Sequence, residues 1–204
     1  MGDGLELSGP YRKRGFWIFE KELFFMSSET QNDEARNDGK DFVQIRHKEP
    51  MELSHPRELV VAVPPMHSNV NLSRIVRAAG CCGVRKIICC GNASVNAKIA
   101  RETGIDLEIE QHRTLAPELL RKWKTKGWRV VGLEQTNDSY WLHEYAFPEK
   151  TLLVVGNERL GIEPEILRCL DDVVEIPMYG LPFSHNAATA TAIAMYEYCR
   201  QHPH

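Results

Sequence analysis

Several motifs that mark common classes of site are missing from this chain of 204 residues. No G-x-G-x-x-G follows an apolar run, and no phosphate-binding loop of the form G-x-x-x-x-G-K-[ST] is present, so the usual nucleotide sites are not expected. The six cysteines form no C-x-x-C pair, which argues against a zinc site. No apolar run approaches the length of a membrane span. We therefore expect neither a metal nor a membrane partner.

An excess of positive charge is also missing. The net charge is −3 and the isoelectric point is near 6.2, so binding to nucleic acid must be argued from local patches. The hydrophobic share of 43% and the charged share of 26% are typical of a soluble globular domain. Cysteines in apolar surroundings are most simply reduced, which predicts a cytoplasmic protein.

The N-terminal quarter differs from the rest. Residues 27–41, SSETQNDEARNDGKD, are too polar to bury much surface and are predicted to be disordered. Met26 directly precedes them and is an alternative start. We expect a tail over residues 1–50, to which we assign no function, and one domain over residues 51–204.

Apolar runs and helical stripes alternate after residue 57. Strands are predicted at 58–63, 85–90, 128–134, 151–156 and 172–177, and helices at 71–82, 115–127, 163–170 and 187–201. Because the strands are continuously apolar, they indicate an α/β fold with a mainly parallel sheet flanked by helices.

Unusual polar residues cluster in the loops that leave three of these strands. In parallel sheets, ligands bind beyond the carboxyl ends of the strands. The loops 64–71, 156–162 and 177–186 leave those ends and carry Ser68, Asn69, Asn71, Asn157, Glu158, Arg159, Ser184, His185 and Asn186, with Arg77 nearby. One shared site explains this coincidence better than three separate helix caps.

Two of these loops allow more than one interpretation. Ser184 and His185 are adjacent, so their side chains diverge and do not form a nucleophile–base pair. Ser184 could instead cap the following helix. Glu158 could cap a helix that begins at Ile162, or it could orient Arg77 and the substrate ribose.

Three segments resemble the motifs of the SpoU/TrmH family of RNA ribose 2′-O-methyltransferases, in the SPOUT superfamily. They are NLSRIVRAAGCCGV (71–84), LLVVGNERLGI (152–162) and IPMYGLPFSHN (176–186). The last departs from the family pattern, because His185 stands where leucine is usual. GLEQT (132–136) and FPEKTLLVVGNER (147–159) further resemble the tRNA guanosine 2′-O-methyltransferases.

The resemblance implies a SPOUT-type fold with a C-terminal trefoil knot, a homodimer, S-adenosylmethionine as cofactor and RNA as substrate, with tRNA preferred over rRNA. It implies a catalytic set of Asn71, Arg77, Glu158, Ser184 and Asn186. It implies a cofactor pocket at Gly156, Asn157, Ile176, Met178, Ser184, His185 and Asn186. Because an arginine keeps its proton in proteins, the expected role of Arg77 is electrostatic stabilisation of the attacking oxygen and contact with an RNA phosphate.

A basic patch, RKWKTKGWR (121–129), could track RNA phosphates and stack a base, although such patches are more often solvated helix faces. The residues predicted to bind RNA are Arg74, Arg77, Arg121, Lys122, Lys124 and Lys126. Two other functions stay open: a catalytically inactive RNA-binding relative and an unrelated nucleotide-binding enzyme.

Overall fold

The structure is a computed structural model that describes residues 42–46, 48–101 and 107–203. The chain divides into a unit of residues 1–48 and a compact unit of residues 49–204. The second unit holds every element discussed below. The predicted disordered segment 27–41 and the alternative start at Met26 lie outside the described residues.

One sheet organises the described part of the second unit. Its strands are β1 (Leu59–Val63), β2 (Lys86–Cys90), β3 (Glu108–His112), β4 (Arg129–Leu133), β5 (Tyr140–Trp141), β6 (Thr151–Val155) and β7 (Asp172–Glu175). All pair in parallel, in the order β3-β2-β1-β6-β4-β7-β5. The predicted parallel α/β sheet is confirmed, and each predicted apolar strand lies in it within a residue or two of its expected bounds.

The sheet also contains two strands that the sequence did not predict. β3 and β5 form its two edges. Edge strands are covered less completely, so they carry charged and exposed residues such as those of β3 (EIEQH) and lack a continuous apolar run. Apolar periodicity therefore misses them.

Five described helices cover both faces of the sheet. They are α1 (Asn69–Cys81), α2 (Ala97–Ala100), α3 (Pro117–Thr125), α4 (Pro164–Leu167) and α5 (Ala187–Gln201). The predicted apolar stripe of α1 is fully buried. It packs with α5 in one core on one face, and α3 and α4 pack in a second core on the other face. None of the helices described is long and apolar enough to cross a bilayer.

The strand order brings the functional loops together. β1, β6, β4 and β7 are consecutive neighbours and all run in one direction. Their carboxyl ends therefore meet at one edge, and the loops 64–68, 134–139, 156–163 and 176–186 leave from that edge.

Candidate functional site

The carboxylate of Glu158 joins the turn after β6 to the start of α1. Its Oε1 accepts hydrogen bonds from the backbone N–H of Ser68 (3.1 Å) and from Asn71 Nδ2 (3.0 Å). Its Oε2 accepts one from the backbone N–H of His67 (3.2 Å). Both oxygens thus bind groups at the N-terminus of α1, where the helix dipole favours a negative charge.

Asn71 joins this carboxylate to the third loop. Its side chain is 7% exposed, and its Oδ1 accepts a hydrogen bond from Asn186 Nδ2 (3.2 Å). Asn186 in turn caps α5, because its Oδ1 accepts from the backbone N–H groups of Ala188 (3.0 Å) and Thr189 (3.4 Å). One continuous chain of hydrogen bonds therefore links Glu158, Asn71 and Asn186, which come from three separate loops.

These contacts determine the protonation state of Glu158. Partial burial acts to raise its pKa, but the hydrogen bonds from Asn71 and from the backbone of His67 and Ser68 lower it, and the net pKa lies below the ordinary glutamate value. The group is ionised at neutral pH and is a weak proton acceptor. Through these bonds the carboxylate holds the two loops together, and its predicted catalytic role stays a prediction.

The turn that carries Glu158 is tightly closed. Asn157 and Gly161 exchange backbone hydrogen bonds of 2.9 and 3.1 Å, and Gly161 has φ +66°, a conformation that favours glycine. Asn157 Oδ1 accepts from the N–H groups of Arg159 and Leu160, while its Nδ2 donates to the carbonyl of Pro65 at 2.7 Å. The turn is therefore fixed both internally and to the loop after β1.

A cleft of about 250 Å³ opens between the turn, the loop after β7 and the start of α5. Small and apolar groups form much of its wall. It is lined by Leu133, Glu134, Gln135, Val155, Gly156, Asn157, Glu158, Arg159, Gly161, Glu175, Ile176, Met178, Ser184, His185, Ala187, Ala190 and Thr191. All the residues predicted to bind the cofactor line it except Asn186.

Two of the alternatives left open by the sequence are wrong. The cap of α5 is Asn186, and Ser184 stands two residues before it, in the wall of the cleft. Glu158 does not cap a helix at Ile162, because the N–H of Ile162 donates to Glu134 Oε2 at 2.9 Å and α4 begins at Pro164.

Arg77 and Arg74 lie apart from this network. Both are exposed on α1. Among the described residues neither forms a hydrogen bond or an ion pair, and Glu158 binds the helix start instead of Arg77. The described residues therefore leave both guanidinium groups without a partner, and the predicted contact with RNA stays a prediction.

The basic patch lies elsewhere. α3 packs on the opposite face of the sheet from α1 and α5, and it ends just before β4 begins, at the amino edge. Lys124 pairs with Asp171 (2.7 Å) and Arg121 with Glu118 (3.0 Å). Trp123 and Trp128 pack edge-to-face against each other and are half-buried beside the second core. The RNA-binding role of Arg121, Lys122, Lys124 and Lys126 stays a prediction.

Sequence reasoning missed two carboxylates of the cleft, Glu134 and Glu175. Each comes at the carboxyl end of a strand, β4 or β7, that borders the site. The strand-end rule that selected the other loops also applies to them. Within the described ranges, no group of three or more histidine, cysteine or acidic side chains is arranged to hold a metal ion.

The sequence model of the SpoU rRNA Methylase family matches residues 58–196, more than half of the chain. The chain belongs to this family. The match includes α1, the Glu158 turn and most of α5, so all three loops of the hydrogen-bonded network lie within SpoU sequence.

Known SpoU relatives are similar over much of this unit. The tRNA (guanosine(18)-2′-O)-methyltransferase of Aquifex aeolicus is 32% identical over 149 residues, which cover 71% of this chain and 70% of that protein. The mouse tRNA (guanosine(18)-2′-O)-methyltransferase TARBP1 is 45% identical over 82 residues, which cover 40% of this chain but only 5% of the mouse protein. The structure of the SpoU methyltransferase AviRb from Streptomyces viridochromogenes with AdoMet superposes with a TM-score of 0.62 and 26% identity, covering 73% of this chain and 62% of that one.

Proposed function

We propose that this protein transfers a methyl group from S-adenosylmethionine to the 2′-hydroxyl of a ribose in RNA, with a guanosine of tRNA as the preferred target. The observation that carries the proposal is the hydrogen-bonded chain from Glu158 through Asn71 to Asn186 beside the cleft. It joins the three family motifs at one edge of the sheet. The relatives from Aquifex and mouse are named for this reaction on tRNA.

The residues of the cleft fit the proposed cofactor. Ala187 and Ala190 leave room for a flat ring, and Ile176 and Met178 supply apolar contact. The carboxylate of Glu175 places a negative charge in the wall of the cleft, which suits a cation. S-adenosylmethionine supplies a positively charged sulfonium that carries a reactive methyl group.

The chain's own groups would then position and activate the ribose. Asn71 and Asn186, held by Glu158, fix the distance between α1 and α5. The exposed guanidinium of Arg77 binds an RNA phosphate and stabilises negative charge on the attacking oxygen. Glu158 keeps its charge at neutral pH and supports the two asparagines, and the hydroxyl proton passes to solvent water at the open cleft.

We also propose that the chain is a cytoplasmic homodimer with a C-terminal trefoil knot. Family membership supports the knot. The dimer is supported by an exposed apolar surface beside β7 and α5, formed by Tyr179, Ile193 and Tyr196. All six cysteines are free, which suits a reducing compartment.

Two measurements separate the proposal from its rivals. Equilibrium dialysis with labelled S-adenosylmethionine should show retention, which an unrelated nucleotide-binding enzyme would not give. Transfer of labelled methyl to tRNA transcripts, with rRNA fragments as competitors, then separates an active enzyme from an inactive RNA-binding relative. Retention of cofactor without transfer to any RNA would favour the inactive relative.

A further inference from the structure

Glu134 occupies a central position that the proposed reaction does not yet use. It directly follows β4, the strand between β6 and β7, and its backbone N–H donates to the carbonyl of Val174 at 3.0 Å. Its side chain therefore starts between the two strands whose loops form the cleft. The carboxylate lines that cleft from below the Glu158 turn.

The carboxylate of Glu134 is bound to the end of the turn. Its Oε2 accepts the backbone N–H of Ile162 at 2.9 Å, and its Oε1 accepts the N–H of Gln135 at 3.0 Å. Ile162 is buried and directly follows Gly161. The bond to Ile162 thus connects the strand end of β4 to the point where the turn rejoins the core.

The two glycines of the turn leave the space that this carboxylate fills. A methyl group built on Gly156 would lie 2.9 Å from Glu134 Oε2, and one built on Gly161 would lie closer still. A side chain on either glycine would therefore displace the carboxylate of Glu134 from its place beside the turn. Gly156, Gly161 and Glu134 fit together as a set, and Gly161 is favoured in addition by its positive φ.

We propose that Glu134 is a positioning residue, which holds the turn 157–161 in the shape that forms one wall of the cofactor cleft. The inference rests on the proposed function, since it assigns that cleft to S-adenosylmethionine. Glu158 binds the same turn to α1 from the other side. With both carboxylates in place, the turn is fixed from two directions before any ligand binds, which lowers the entropic cost of binding.

The reach of the side chain and its charge can be tested separately. Glutamine keeps the length and one oxygen that accepts the N–H of Ile162, but it loses the charge and the weaker local bond from the N–H of Gln135. Aspartate keeps the charge but is one methylene too short. If Glu134 positions the turn, hydrogen exchange of the turn and cofactor affinity in Glu134→Gln should be close to those of the wild type. In Glu134→Asp, both should be close to those of Glu134→Ala. A direct attraction between the carboxylate and a cationic cofactor predicts the opposite order.

The first readout needs no cofactor. Amide hydrogen exchange over residues 157–162 should become faster by about tenfold or more in Glu134→Ala and Glu134→Asp, and should stay within about threefold of the wild type in Glu134→Gln. Glu175→Gln is the matched control, because it removes another carboxylate from the cleft without a bond to Ile162. It should leave exchange in this segment unchanged.

The second readout is the dissociation constant of S-adenosylmethionine, which should rise by about tenfold or more in the alanine and aspartate variants, while glutamine restores it to within about threefold. The proposal is overturned if Glu134→Asp binds S-adenosylmethionine more tightly than Glu134→Gln does. It is also overturned if hydrogen exchange over residues 157–162 is unchanged in Glu134→Ala. If alanine prevents folding, the aspartate–glutamine pair decides. If the wild type retains no cofactor, the proposed function fails, while hydrogen exchange still decides the role of Glu134.

Discussion

Replacing Asn71 by alanine tests the hydrogen-bonded chain at its centre. The change removes the donor to Glu158 (3.0 Å) and the acceptor for Asn186 (3.2 Å) from a side chain that is 7% exposed. A hydrogen bond to a charged group contributes about 1.5–3 kcal/mol, and one between neutral groups contributes about 0.5–1.5 kcal/mol. Water can reach both partners, so the lower value of each range applies. The two lost bonds together should lower the free energy of unfolding by about 2 kcal/mol.

For a unit of this size, such a loss lowers the melting temperature by about 4–8 °C. Urea unfolding with and without the substitution measures it directly. Asn69→Ala is the matched control, because it lies two residues away on α1 and removes one exposed bond, from the N–H of Ser94 (3.1 Å), outside the site. Asn69→Ala should lower the free energy of unfolding by about 1 kcal/mol at most.

The rate of methyl transfer should fall by more than the loss of folded protein can explain. Once Asn71 is gone, nothing bridges Glu158 and Asn186, and a small displacement of reacting groups can cost about 100-fold in rate. A double-mutant cycle with Asn186→Ala should give a coupling energy of about 0.5–1 kcal/mol. If Asn71→Ala and Asn69→Ala lower the free energy of unfolding equally, or if the coupling energy is near zero, Asn71 does not join the two loops as described.

Three further predictions follow from the site. Arg77→Ala should leave folding and cofactor binding intact while single-turnover transfer falls by about 1000-fold; a rate within about tenfold of the wild type would reject its role. His185→Leu should keep most activity and the same pH–rate profile between pH 6 and 8, since the family pattern has leucine there; loss of a limb in that range would make His185 catalytic. Because the pKa of Glu158 is lowered by folding, its contribution to stability is fully present above the ordinary glutamate pKa of about 4.3 and is lost as the pH falls through the lower pKa of the folded state. The difference in the free energy of unfolding between wild type and Glu158→Gln should therefore stay constant from pH 7 to about pH 5 and narrow as the pH falls below about 4; a constant difference over the whole range would contradict the assignment.

The sequence predicted the interior of the fold well, for a physical reason. Strands buried on both faces must be apolar throughout, and α1 must place its apolar stripe toward the core, so both leave a periodic pattern. The edge strands β3 and β5 leave no such pattern, because one side of each faces water or a loop. Their existence depends on pairing with a neighbour that is distant in the chain.

The sequence predicted where the site lies, but not which of its side chains form hydrogen bonds with one another. The rule that ligands bind at the carboxyl ends of parallel strands selected the loops with Asn71, Glu158 and Asn186. Which of these side chains bind one another depends on how far each loop reaches across the sheet edge, and no local pattern specifies that. Glu134 shows the same limit, because a glutamate after a strand is usually solvated, and its fit beside Gly156 appears only in three dimensions.

The most direct test of the central claim is to locate the transferred methyl group. Purified protein is incubated with labelled S-adenosylmethionine and a tRNA transcript, and the RNA is then digested to nucleosides and resolved by mass spectrometry. The proposed reaction predicts label on the ribose of a guanosine, as 2′-O-methylguanosine, with the signal lost in Arg77→Ala. Label on a base, or no label in any RNA despite bound cofactor, would contradict it.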